Sequence, residues 1–157
     1  MSSEAGLLSF YDVAFDDVYR IAARLTWGDR SAAEDLVQDA FVRLVRSVRS
    51  GAVTTVGIGW MVTTVRRLHI DGLRATDSER RRLRVVAPLS QSASTSSNDA
   101  FGMLDGLNDR ERAAIILRYV DDLSVADVAD LMGDSVRATE SLLQRAKRKV
   151  RNTRSAS

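Results

Sequence analysis

The chain has 157 residues, 45% hydrophobic and 28% charged, with 23 basic and 21 acidic side chains and a formal charge of +2. This length suits one ordinary domain or two small ones, which excludes a large multidomain enzyme, and the composition excludes wholesale disorder. The absence of cysteine excludes disulfide frameworks and catalytic thiols, and a single histidine, His69, excludes a histidine-rich metal centre.

Residues 10–27 carry Phe10, Val13, Ala14, Val18, Ile21, Ala22 and Leu25 at helical spacing and read as a first amphipathic helix. Between residues 31 and 49, Leu36, Val37, Ala40, Phe41, Leu44, Val45 and Val48 mark one helical face behind a capping box, Ser31-x-x-Glu34. The strand-like stretch Val53–Gly59 is interrupted by Gly57 and Gly59 and reads as a loop. A third helix is expected from about Gly59 to Arg74, with Trp60, Val62, Val65, Leu68 and Leu73 spread around it.

From Pro88 to about Ala100 the chain is polar, Ser-rich and without apolar periodicity, and it holds the single proline. It reads as a flexible linker between an N-terminal domain, 1–87, and a C-terminal one, 101–157. A long surface loop inside one domain is the competing reading, disfavoured because structureless loops of this length are uncommon in compact domains. Beyond it, Asn108-x-x-Glu111 and Ser124-x-x-Asp127 each cap a helix, the first carrying Ala113, Ile116, Leu117 and Val120, the second Val125, Val128, Ala129 and Met132. Gly133 supplies a helix end at positive φ, and Ser135 caps a last helix with Ala138, Leu142, Leu143, Ala146 and Val150 inward. Helix, three-residue turn and helix is the spacing of a helix-turn-helix, whose second helix enters the DNA major groove. The fold class expected is all-α, in two small helical domains.

The near-neutral total conceals segregation. Residues 1–39 hold eight acidic and three basic side chains, and residues 99–134 nine acidic and three basic. Against these, residues 66–84 hold seven arginines and three acids, and residues 144–154 six basic groups and no acid. Such blocks create local potentials that the total does not report. The run Arg145, Lys147, Arg148, Lys149 and Arg151 favours DNA, since phosphate neutralisation supplies most sequence-independent affinity.

Three stretches carry a family resemblance. Residues 107–133 followed by Gln144–Arg151 resemble region 4 of bacterial sigma-70-family factors; Ala33–Leu44 resembles their region 2.2, and Gly59–Arg74 their regions 2.3 and 2.4. The order is right, and no room remains for regions 1.1 or 3, which points to the extracytoplasmic-function (ECF) group. The resemblance implies a noncatalytic initiation subunit, without cofactor or metal, whose partners are core RNA polymerase and promoter DNA. The polymerase contacts it implies are the β′ clamp helices and the β flap, and an anti-sigma protein is a further implied partner.

The resemblance also suggests sites. Asp35, Gln38, Asp39 and Arg43 fall opposite or beside the core stripe of their helix and are expected to meet the polymerase. Trp60, Arg66, Arg67, His69 and Arg74, followed by Arg80, Arg81, Arg82 and Arg84, offer the apolar surface and cations that capture of opened −10 bases requires. Trp60 suits a core role equally well, and Asp71 reads as structural. For the −35 element, Ser135, Arg137, Ser141, Arg145 and Arg148 are the expected contacts.

Three departures stand out. Arg67 occupies a position where the family often has asparagine, and Glu140 and Leu142 replace two expected cations. Glu140 either accepts a hydrogen bond from a cytosine or lies off the DNA. The thirteen-residue linker reaches at most ~45 Å, more than one ~34 Å turn of DNA, so the two domains can read sites over a turn apart.

A stand-alone helix-turn-helix regulator is the principal alternative, and it leaves the region 2.2 match unexplained. A hydrolase or nuclease lacks any convergent catalytic motif. No apolar run reaches the roughly 18 residues that span a bilayer, and Met1-Ser2-Ser3-Glu4 is unlike a signal peptide, so a cytoplasmic protein without membrane insertion is expected.

Overall fold

In the computed structural model, residues 4–84, 104 and 106–155 are described, apart from the side chains of Arg80 and Arg84. They form six α-helices and no strand, as an all-α chain should. The order is α1 (Glu4–Leu25), α2 (Arg30–Arg49), α3 (Ile58–Arg84), α4 (Asp109–Ile115), α5 (Val125–Met132) and α6 (Val136–Ser155). Two compact units result, Met1–His69 and Ile70–Ser157, the division falling within α3. The Ser-rich segment 88–100 lies outside the described residues.

In the first unit, α1 packs along α2. Ala14, Val18, Ala22 and Leu25 meet the stripe Ala33, Val37, Ala40, Phe41 and Leu44, and all nine are buried. Small residues at closely spaced positions let the two helices approach, while Phe10 and Tyr11 stack obliquely against Phe41, at 6.4 and 4.5 Å between ring centroids. Val13, expected inward, is 74% exposed. It lies one position outside the stripe that Ala14 and Val18 define, where 100° per residue carries it off the contact.

The turn between α1 and α2 corrects the expected cap. Trp27 and Gly28 both adopt left-handed backbone (φ 67° and 77°), and Trp27 is held there by burial of its ring. The reversal leaves Asp29 extended, and its carboxylate accepts a hydrogen bond from the Ala32 amide at 3.1 Å. Asp29 is therefore the N-cap, and Ser31 sits inside the first turn. Both types cap well, and the placement of the turn decides between them.

Helix α3 buries Met61, Thr64, Val65 and Ile70. The Thr64 hydroxyl donates to the Trp60 carbonyl at 2.8 Å, so its burial leaves no polar group unpaired. The helix runs ten residues beyond Arg74. Residues 75–84 contain neither Gly nor Pro and include four arginines with Ala75, Glu79 and Leu83, so helix propensity continues where apolar periodicity fades.

In the second unit, α6 packs on α4 and α5. Ala113, Ala114, Ile115, Ile116, Leu117, Val128, Ala129, Met132, Leu142, Leu143 and Ala146 make the core. Beyond Ile115 the chain widens into a π-helical turn, Ile116–Val120, closed by donation from the Asp121 amide to the Ile116 carbonyl at 2.9 Å. The extra residue per turn rotates Tyr119 and Val120 outward, to 50% and 47% exposure. A regular helix would have kept Val120 inward with Ile116 and Leu117, as its spacing suggests. Ala138 is likewise exposed and Thr139 buried in its place, its hydroxyl satisfied by donation to the Ser135 carbonyl at 3.0 Å. Among the described residues, no helix is long and apolar enough to cross a membrane.

Candidate functional site

The buried stripe of α2 fixes the rotation of that helix, and the opposite side is left to solvent. Asp35, Gln38, Asp39 and Arg43 are all exposed there, in keeping with their spacing. Val42, 47% exposed, falls between Asp35 and Arg46 on the same face. Assigning residues by polarity overlooks it; the 100° rotation per residue is the available signal. An apolar side chain inside a ring of mixed charge is a composition that protein interfaces cover.

On α3, Trp60, Arg67 and Arg74 recur every seven residues and so share one side of the helix. Arg66 and His69 lie on another side. Trp60, Arg66 and His69 are half-buried, whereas Arg67, Asp71, Arg74, Arg81 and Arg82 are exposed. Arg74, in the second unit, donates through its guanidinium to the Met132 carbonyl. The side chains of Arg80 and Arg84 lie outside the described residues.

The helix-turn-helix is built largely from local hydrogen bonds. Asn108 caps α4 by accepting from the Glu111 amide at 2.9 Å, and Ser124 caps α5 by accepting from the Asp127 amide at 3.1 Å. Gly133 ends α5 at φ 67°, a conformation that an L side chain resists, with its amide donating to the Asp130 carbonyl. Ser135 accepts from the Ala138 amide at 3.1 Å and opens α6. Arg110 pairs with Asp134, tying the turn to the start of α4.

The rotation of α6 follows from Thr139, Leu142, Leu143 and Ala146, all buried. Arg137, Ser141, Gln144 and Arg148 then project from the opposite side, with Arg145 beside them, and all five are exposed. Ser135, also exposed, spends its hydroxyl on the cap. Leu142 is only 8% exposed, so the cation absent at this position is replaced by core packing.

Lys149 differs from its basic neighbours. Its ammonium donates to both oxygens of Glu111, at 2.8 and 3.0 Å, and the Asn108 amide donates to Oε1 at 3.0 Å. The Glu111 side chain is 6% exposed. A carboxylate so deeply buried requires such partners, and Lys149 therefore fastens α6 to α4. The composition of the basic run does not separate it from Arg145 or Arg148. Tyr119 is flanked by Arg118 and Lys147, whose cationic groups lie 5.5 and 5.3 Å from its ring centroid.

These surfaces sit within sequence regions that known families cover. The sigma-70 region 2 family matches residues 11–79 and the sigma-70 region 4 family residues 101–150. The chain is 34% identical to the ECF RNA polymerase sigma factor BldN of Streptomyces coelicolor, over 88% of this chain and 56% of that protein. With the ECF RNA polymerase sigma factor SigE of Mycolicibacterium smegmatis the identity is 28%, over 87% and 57%. The chain spans about half the length of these curated relatives. The sigma factor RpoE of Bartonella quintana, solved in complex with the anti-sigma factor NepR, shares the fold at a TM-score of 0.59 and 22% identity, over 92% of this chain and 94% of that one.

Proposed function

The chain belongs to the sigma-70 family of RNA polymerase sigma factors, in its ECF group, and on that premise we propose that it is a noncatalytic initiation subunit acting in the cytoplasm. Residues 1–87 and 101–157 act as the region 2 and region 4 domains. Core RNA polymerase is met by Asp35, Gln38, Asp39 and Arg43 on α2, which dock on the β′ clamp helices around Val42, while the region 4 domain meets the β flap. The −35 element is read by α6, through Arg137, Ser141, Arg145 and Arg148. The −10 element is recognised and opened along α3, with Trp60, Arg66, Arg67, His69 and Arg74 supplying apolar surface for bases and cations for backbone. Control by an anti-sigma protein belongs to the same reading.

The observation that carries the proposal is the presence, in one chain, of a mixed-charge helical face on α2 and a helix-turn-helix whose last helix presents cations outward. A duplex-binding regulator needs only the second. The test is binding of the full chain to core RNA polymerase, followed by gel filtration. Comigration at stoichiometric amounts is expected; binding to duplex DNA with no affinity for core polymerase would leave the stand-alone regulator.

A further inference from the structure

Glu140 is unusual in its setting. It is the only acidic side chain on α6, which otherwise carries seven basic ones between Val136 and Ser155. It lies on the second turn, in the N-terminal part of a recognition helix from which base edges are reached. The buried residues to either side, Thr139 and Leu142, fix the helix rotation and leave Glu140 exposed, on the shoulder of the face that bears Arg137, Ser141 and Gln144.

No side-chain partner among the described residues accounts for a carboxylate at this position. Arg137 stands one turn before Glu140 and Lys147 two turns after, yet Glu140 forms no ion pair among the described residues. It caps no helix, since that task falls to Ser135. Near phosphates a carboxylate is repelled, so at this place it weakens binding to every sequence unless it meets a donor on a base. In the major groove cytosine N4 and adenine N6 are the amine donors, and because the adenine amine stands beside the acceptor N7, cytosine is the base that an acceptor-only carboxylate matches.

We propose that Glu140 is a specificity-determining residue of the upstream promoter element, accepting a hydrogen bond from the N4 amine of a cytosine. The inference rests on the proposed function and adds to it one base and one atom. Where that cytosine is present, the hydrogen bond offsets the repulsion; guanine and thymine offer no major-groove donor, and the acceptor N7 beside the adenine amine repels the carboxylate, so with those bases the repulsion is not fully offset. One glutamate thereby sharpens discrimination from both directions, by attraction to one base and by exclusion of the rest.

The full chain, with core RNA polymerase, is incubated with duplexes randomised across the upstream element, and bound sequences are compared for the wild type, Glu140→Ala and Glu140→Gln. Circular dichroism confirms that the exposed substitutions leave the fold intact. The wild type is expected to favour cytosine at one position by about five- to a hundred-fold, the range of a well-made base contact. Glu140→Ala should lose the preference at that position alone, and Glu140→Gln should move it toward adenine, which an amide matches through N6 and N7. Unchanged base preferences at every position, with affinity raised uniformly in Glu140→Ala, would overturn the inference and leave promoter recognition standing. No sequence preference in the wild type itself would instead sink the proposed function, and the two failures are distinguishable in one experiment.

Discussion

Helices α2 and α6 are each twenty residues long and are built alike on the inside. Each buries a stripe of four or five residues, Ala33, Val37, Ala40, Phe41 and Leu44 on α2, Thr139, Leu142, Leu143 and Ala146 on α6. Outside they differ. The exposed face of α2 sets Asp35 and Asp39 against Arg43 and Arg46 around Val42, whereas α6 presents Arg137, Arg145, Arg148 and Arg151 with the single acid Glu140. Balanced charge around an apolar centre suits a protein partner that supplies matching groups, while charge of one sign suits phosphate. The cores are interchangeable in kind, and the outward charge pattern separates the two tasks.

The largest effect expected is on the inside. Leu44→Ala removes a fully buried side chain from the α1–α2 contact and should destabilise the first unit by about 2–5 kcal/mol, read as a lower denaturation midpoint. Within α6, two neighbouring cations should separate cleanly. Lys149→Ala strands the buried Glu111 carboxylate with the Asn108 amide as its remaining side-chain partner in the ion-pair cluster, at a cost of about 1–3 kcal/mol in stability. Its DNA binding, measured on the folded protein, should keep the wild-type salt slope. Arg148→Ala should do the reverse, leaving stability within about 0.5 kcal/mol while lowering the slope of log affinity against log salt by about 1. An equal loss of slope in both variants would mean that the basic run acts as an undivided patch.

On α2, the double substitution Gln38→Ala and Asp39→Ala should weaken core-polymerase binding by about tenfold, a loss near 1.4 kcal/mol, with an unchanged helical signal. Unaltered affinity would remove this face from the interface. The smallest effect is local: Ser135→Ala deletes the α6 cap and should cost about 1 kcal/mol, seen as a modest fall in the melting temperature.

Features governed by neighbours along the chain are legible in the residues themselves. The Asn108, Ser124 and Ser135 caps follow from side chains accepting from amides three residues on, and the three-residue turn from Gly133, whose missing Cβ permits positive φ. The exposed polar face of α2 follows from helical spacing alone. What escapes depends on distance or on backbone detail. Lys149 meets Glu111 across 38 positions, and composition cannot distinguish it from the cations beside it. The π-helical turn shifts Val120 out of the phase that a regular helix gives it, and left-handed Trp27 moves the α2 cap from Ser31 to Asp29. Thr139 takes the inward place of Ala138 because a hydroxyl bonded to its own helix can be buried, which residue type alone does not disclose. The arginines of α3 are identifiable by type, but their division into a Trp60, Arg67 and Arg74 side and an Arg66 and His69 side requires the helix to be continuous.

Run-off transcription tests the central claim most directly. Core RNA polymerase and the full chain, given a template bearing an upstream sequence selected by that holoenzyme, should yield one discrete transcript that disappears when either protein is omitted. Binding of the chain to that template without core polymerase, and no transcript in its presence, would contradict the reading of an initiation subunit.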